Sequence, residues 1–180
     1  MNIDFIVEGS PGSGRSSFLK QIALDWGRGA SYLQHFNLII LLDCATLVGQ
    51  DFDKQIMKMY RIMKQEKVNL QKWEVQNEPF LLLLDSFDKL PKENLEVIYR
   101  IISGETYTMC SVLAASTEGK SVQKNPFKIL IKLKGWKQET VIEVIHRQFP
   151  HCPNKVLALK LKLSSNDPVQ LLVRDRKSVV

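Results

Sequence analysis

The residues Gly9-Ser10-Pro11-Gly12-Ser13-Gly14-Arg15-Ser16 carry the clearest chemistry in this chain. They meet every fixed position but one of the phosphate-loop pattern G-x-x-x-x-G-K-[ST], with Arg15 where that pattern has lysine. Glycines at these spacings let the backbone curl tightly, so that N–H groups point inward at phosphate oxygens. A helix that starts where the loop ends adds free N–H groups and partial positive charge. A hydroxyl at Ser16 suits the Mg2+ that travels with a nucleoside triphosphate. The predicted chemistry is therefore phosphate binding by Gly9, Ser10, Gly12, Ser13, Gly14, Arg15, Ser16 and Ser17, with Ser16 also at the metal.

Such a loop works only between a strand and a helix. Ile3-Asp4-Phe5-Ile6-Val7 reads as a buried strand, and Ser17 to Trp26 as an amphipathic helix with Phe18, Leu19, Ile22, Ala23 and Trp26 on one side. The alternation then continues at the rhythm of a parallel sheet. Leu38-Ile39-Ile40-Leu41-Leu42 is a continuous apolar run, as in a strand covered on both faces. Phe52, Ile56, Met59, Tyr60 and Met63 recur at helical spacing, the methionines reading as core filler. A polar stretch from Gln65 to Glu78 leads into Phe80-Leu81-Leu82-Leu83-Leu84, which ends at Asp85. Pro91 opens a helix carried by Leu95, Ile98, Ile101 and Ile102 that stops near Gly104. Met109 to Ala115 and Lys128 to Leu133 read as a fourth and a fifth strand. From about Gly135 the pattern becomes helical, over Gln138 to Phe149, Asn154 to Leu163 and Asp167 to Val173, with breaks at Pro150 and Pro153. The expected fold class is α/β, with a nucleotide-binding domain over residues 1–134 and a helical subdomain, which reads as cut short, over 135–180.

Asp85 stands at the carboxyl end of the most apolar strand, where α/β sheets place their ligands. It is the candidate metal acid beside Ser16; the competing reading is a cap on the following turn. Hydrolysis also needs a carboxylate to orient water, and Asp88 is the candidate catalytic residue.

Composition narrows the remaining choices. The chain has 180 residues, 44% of them apolar, enough for one α/β domain with a small appendage. No apolar run approaches the ~18 residues of a membrane span, and Asp4 and Glu8 interrupt the apolar N-terminus, against a signal peptide. Cys44, Cys110 and Cys152 are odd in number and scattered, which argues for a reducing, cytoplasmic setting. His146, His151 and Cys152 are close in sequence but lack a fourth zinc ligand. The net charge is +6 and the pI about 9.2, yet the lysines are dispersed. The densest group, Lys120 to Lys137, interleaves with an apolar strand, and no nucleic-acid fold signature accompanies it.

Together the motifs resemble a family. Gly9 to Ser16 followed by Phe18-Leu19-Lys20-Gln21-Ile22-Ala23-Leu24-Asp25-Trp26 resembles the start of a NACHT domain, the nucleotide-binding module of NOD-like receptors. Phe80 to Leu90 resembles that family's second motif, an apolar strand ending in D-G-x-D-E-L. Leu133-Lys134-Gly135-Trp136, with a helix ending Arg147-Gln148-Phe149, is similar to the opening of the family's first helical subdomain. Asn166-Asp167-Pro168-Val169 resembles a later x-P-L turn, which places Pro168 near the bound base. The resemblance covers residues 3–173 and implies a P-loop NTPase three-layer sandwich with a parallel five-stranded sheet, followed by a small helical subdomain. It also implies ATP or ADP with Mg2+ as ligands and self-association or other signalling proteins as partners.

Four positions depart from the family: Arg15 for lysine, Ser86 for glycine, Lys89 for glutamate, and Thr117 where an arginine is usual. Arginine is a wide planar fork rather than a compact ammonium, and it crowds a metal site more. Loss of an arginine at 117 removes a charge contact to a terminal phosphate. The expectation is a nucleotide switch of innate-immune or cell-death signalling with weak or absent hydrolysis, at most a weak ATPase. The alternative is a degenerate scaffold that works through protein contacts without nucleotide. A working small-molecule kinase is disfavoured, because Ser116 to Pro126 holds lysines but no arginine for a lid.

Overall fold

The computed structural model describes residues 4–64, 78–119 and 126–134, together with 137, 140, 143, 144, 147 and 151. It divides into two compact units, Met1–Glu8 with Arg15–Lys132, and Gly9–Gly14 with Leu133–Val180.

The larger unit is built on a five-stranded parallel sheet. Its strands are β1 (Phe5–Gly9), β2 (Leu38–Asp43), β3 (Phe80–Asp85), β4 (Cys110–Thr117) and β5 (Ile129–Leu133), in the order β2-β3-β4-β1-β5. β3 is parallel to both neighbours, with Leu82 opposite Ile40 on one side and Val112 on the other. Every residue from Phe80 to Leu84 is buried, which is why this strand has no polar face at all. Among the described residues, three helices cover the sheet: α1 (Arg15–Gly27), α2 (Phe52–Lys64) and α3 (Lys92–Ile102).

Strand alternation divides the buried side chains between two faces. Ile6, Ile40, Leu42, Leu82, Leu84, Val112 and Ala114 share a cluster with Phe52, Ile56 and Tyr60 of α2 and Ile98 and Ile101 of α3. Val7, Ile39, Leu81, Leu83, Leu113 and Ala115 lie outside that cluster, as does Leu19 of α1, which packs against β2, β3 and β4 from the other side. The result is a three-layer sandwich. Met57 and Met59 pack against the cluster from its margin.

The structure shifts several expected boundaries. β1 starts two residues later than the apolar run and continues through Glu8 and Gly9. β4 runs on to Thr117, because Ser116 and Thr117, though polar, extend the ladder. On α1 only Leu19 of the expected apolar face is fully buried, and Phe18 is exposed, since it stands about 100° around the helix from Leu19. The expected helices Asn154 to Leu163 and Asp167 to Val173 lie outside the described residues, as does Pro168; of the helix expected over Gln138 to Phe149, Thr140, Glu143, Val144 and Arg147 are described and helical.

Two buried polar groups fasten the sheet's amino-terminal side. The Tyr107 hydroxyl donates to Asp53 Oδ1 at 3.1 Å, and its ring meets Phe80 edge-on. Asp4 is fully buried at the start of β1, where its Oδ1 accepts the Val112 N–H at 3.0 Å while Oδ2 has no partner. Burial pushes the Asp4 carboxyl above its ordinary 3.8; the Val112 N–H and the Lys128 charge pull the other way and do not win. A raised carboxyl pKa means that the charged form is the less stable one in the fold. Its stabilising contribution is complete below pH 3.8 and is lost as pH climbs through the raised value. Asp4→Asn keeps an oxygen for Val112 and removes the charge. We predict a higher thermal midpoint than wild type at pH 7, with the gap closing on acidification, as measured by calorimetric scans across pH.

Candidate functional site

The loop between β1 and α1 is curled. Gly12 and Gly14 have φ of 78° and 95°, in the left-handed region that a side chain would strain. Ser13 N–H donates to the Ser10 carbonyl at 3.1 Å, which closes the turn. Ser13 is buried, and its Oγ, packed against Gly9, has no hydrogen-bond partner. A Cβ on Gly9 would collide with Ser13 Oγ and lie 3.1 Å from the Leu133 carbonyl oxygen. Glycine at 9 is therefore a packing requirement of the loop itself.

α1 begins directly after this loop, with Arg15, Ser16 and Ser17 as its first residues. No acidic side chain occupies its first turn. A basic residue there opposes the helix dipole by about 0.3–1 kcal/mol, so Arg15 is not placed for helix stability.

Within the larger unit, Ser16 Oγ donates to Asp85 Oδ1 at 3.0 Å. The same oxygen accepts the Ser86 N–H at 2.8 Å. Asp85 Oδ2 accepts no hydrogen bond from the described residues. Hydroxyl and carboxylate oxygens are the ligands that Mg2+ takes, and Mg2+ is usually held by one or two protein groups plus phosphate oxygens and water. Among the described residues no group of three or more His, Cys, Asp or Glu side chains could hold a metal ion alone. The pair Ser16 and Asp85 thus fits a cation that arrives with a phosphate ligand, and does not fit a resident metal.

The turn after β3 is strained. Ser86 has φ 55° and ψ 44°, and its carbonyl accepts the Lys89 N–H at 2.8 Å, which opens a short 3-10 turn over Phe87–Lys89. Glycine, which the resembled motif has at this position, takes such a backbone without strain. Asp88, on this turn, has both carboxylate oxygens engaged by one residue. Thr117 N–H donates to Oδ1 at 3.2 Å and Thr117 Oγ1 to Oδ2 at 3.3 Å. The residue standing where an arginine is usual therefore latches the acid expected to orient water. Nearby, the buried Cys44 thiol is pushed up to about 12, first by burial and then by Asp43, Asp85 and Asp88. Burial is the larger cause, and the three carboxylates add to it at this edge of the sheet.

Sequence reasoning misses two residues. Glu8, 4% exposed with Oε1 unpartnered, reads in the sequence only as a break in an apolar run. Its strand position, two residues from core-facing Ile6, is the available signal. Thr117 stands out in the sequence for what it lacks, and nothing in a sequence separation of 29 residues points to Asp88.

A parallel sheet in this strand order, a glycine loop leading into α1, and an acid at the end of β3 define the P-loop NTPase class. Solved structures agree on the fold. A RuvB variant from Thermotoga maritima superposes with a TM-score of 0.56 at 16% identity, over 82% of this chain and 43% of that one. The ORC2 protein of Aeropyrum pernix, solved with ADPNP and ADP, gives 0.56 at 11% identity, over 82% and 46%. Cdc6p of Pyrobaculum aerophilum gives 0.56 at 9% identity, over 80% and 43%. The NACHT domain model matches residues 4–152, and the chain belongs to that family. It is 25% identical over 122 residues to the human NACHT, LRR and PYD domains-containing protein 10, a match covering 60% of this chain and only 18% of that protein.

Ser86→Gly tests the strain directly. A non-glycine residue in the left-handed region costs about 1–2 kcal/mol, and added chain entropy returns about 0.4–1 kcal/mol. The variant is expected to gain about 0.5–1 kcal/mol, raising the melting midpoint by a few degrees in differential scanning calorimetry.

Proposed function

We propose that this chain is a nucleotide-binding regulatory module of the NOD-like receptor type, which takes ATP or ADP with Mg2+ and hydrolyses ATP slowly. The curled Gly9–Gly14 loop carries the reading, because its glycines make the tight curl that a phosphate cradle needs: two adopt left-handed backbone, and a Cβ on the third would crowd Ser13 and the Leu133 carbonyl. In this reading the loop amides and the helix start hold phosphate. Arg15 supplies positive charge, and Ser16 and Asp85 hold the cation. A terminal phosphate that orders loops is a known way to bias two domain arrangements. By family analogy the exchange of ADP for ATP then controls self-association in cytoplasmic innate-immune or cell-death signalling. Slow hydrolysis follows from Arg15, from Lys89 and from the Thr117 latch on Asp88.

The same three features favour a second reading, a scaffold that has lost nucleotide and acts through protein contacts. Calorimetric titration separates the two. Wild type is expected to bind Mg-ATP or Mg-ADP, Gly9→Ala to weaken that binding by about tenfold or more, and Arg15→Lys to strengthen it by about tenfold, or 1.4 kcal/mol. No heat with either nucleotide in wild type and in Arg15→Lys would establish the scaffold instead.

A further inference from the structure

One buried acid at the nucleotide edge of the sheet has no structural employment. Glu8 is the next-to-last residue of β1, 4% exposed, and its Oε1 has no hydrogen-bond partner. A buried carboxylate oxygen without a donor is costly, and folds retain such groups mainly where function uses them. The neighbouring acids are different. Asp85 Oδ1 is occupied by Ser16 and Ser86, and both oxygens of Asp88 are occupied by Thr117. In a parallel sheet the carboxyl ends of β1, β3 and β4 lie along one edge, the edge at which α/β folds place ligands. Glu8 lies at that edge, and the glycine loop starts with the residue after it. Its strand face is shared with Ile6, so packed side chains rather than solvent fix its direction.

We propose that Glu8, rather than Asp88, is the catalytic carboxylate that accepts the proton of the attacking water when a bound nucleoside triphosphate is hydrolysed. In that step the water oxygen bonds to the terminal phosphorus and one water proton passes to Glu8 Oε1. The bond from that phosphorus to the bridging oxygen breaks, and its electron pair leaves with the nucleoside diphosphate. Glu8 then returns the proton to the released phosphate. Thr117 meanwhile occupies both oxygens of Asp88. The inference rests on the nucleotide reading above.

The test uses the full chain as wild type, Glu8→Gln, Glu8→Asp and Asp88→Asn. Three readouts are taken for each: ATP binding by calorimetry, the melting midpoint, and phosphate release in a single turnover. The expected result is that Glu8→Gln binds ATP like wild type, melts no lower, and releases phosphate about a hundredfold more slowly or worse, the scale of a lost general base. Glu8→Asp, which keeps the carboxylate but shortens its reach, should fall between the two and supplies the answer if the glutamine variant does not fold. The Asp88→Asn loss should be the smaller one. The proposal is overturned if Asp88→Asn removes turnover while Glu8→Gln retains it, or if wild type binds ATP but releases no phosphate. Absence of ATP binding in wild type overturns it too, and takes the nucleotide reading with it; binding without turnover overturns slow hydrolysis and leaves nucleotide binding standing.

Discussion

The complete burial of β3 is the constraint on which the rest of the described structure depends. Five consecutive apolar residues paired on both sides leave this strand no freedom of register, since a slip would misalign Leu82 with both Ile40 and Val112. Asp85, at its end, is therefore held at a fixed point, and two donors converge on one of its oxygens. The Ser16 hydroxyl ties the start of α1 to it. The Ser86 amide ties down the next turn, at the cost of a left-handed backbone in a residue with a side chain. Asp88 follows three residues later and reaches β4 through Thr117. One apolar strand thus organises a chain of polar contacts from the first helix to the end of the fourth strand.

Electrostatics give these contacts a direction. Asp43, Asp85 and Asp88 gather at the carboxyl edge of the sheet, where, after burial as the larger cause, they raise the Cys44 thiol, although the chain as a whole is +6. A negative edge repels phosphate unless a cation comes with it. The ligand set of hydroxyl and carboxylate, too small to retain a metal alone, suits a cation already bound to phosphate.

Much of this is legible in the sequence, and for definite reasons. The Phe80–Asp85 strand is readable because an unbroken apolar run that stops at an acid matches a strand covered on both faces and little else. The loop is readable because left-handed backbone requires glycine, which leaves its mark at fixed spacing. Where reading fails, the cause is a contact between distant residues or a polar residue in an apolar place. The hydrophobicity of Phe18 points to the core, although its angle around α1 turns it outward. The motif position of Asp88 points to water activation, and only the fold brings Thr117 to it. Glu8 looks like an interruption, because a charge inside a strand is usually a surface position.

The four departures from the family pattern have unequal weight. Ser86 is tolerated at a cost in strain, and Arg15 retains its charge. Thr117 engages Asp88 through its backbone N–H and its hydroxyl, without the positive charge that an arginine would bring. Three of the four changes lie outside the phosphate loop, and the one within it, Arg15, leaves its glycines and Ser16 in place. Native mass spectrometry of the full chain, purified gently and equilibrated with Mg2+ and either ATP or ADP, tests nucleotide retention most directly. The expected species is heavier by one nucleotide and is lost when Gly9 carries a methyl group; a spectrum that shows only the bare chain at every nucleotide concentration would contradict retention.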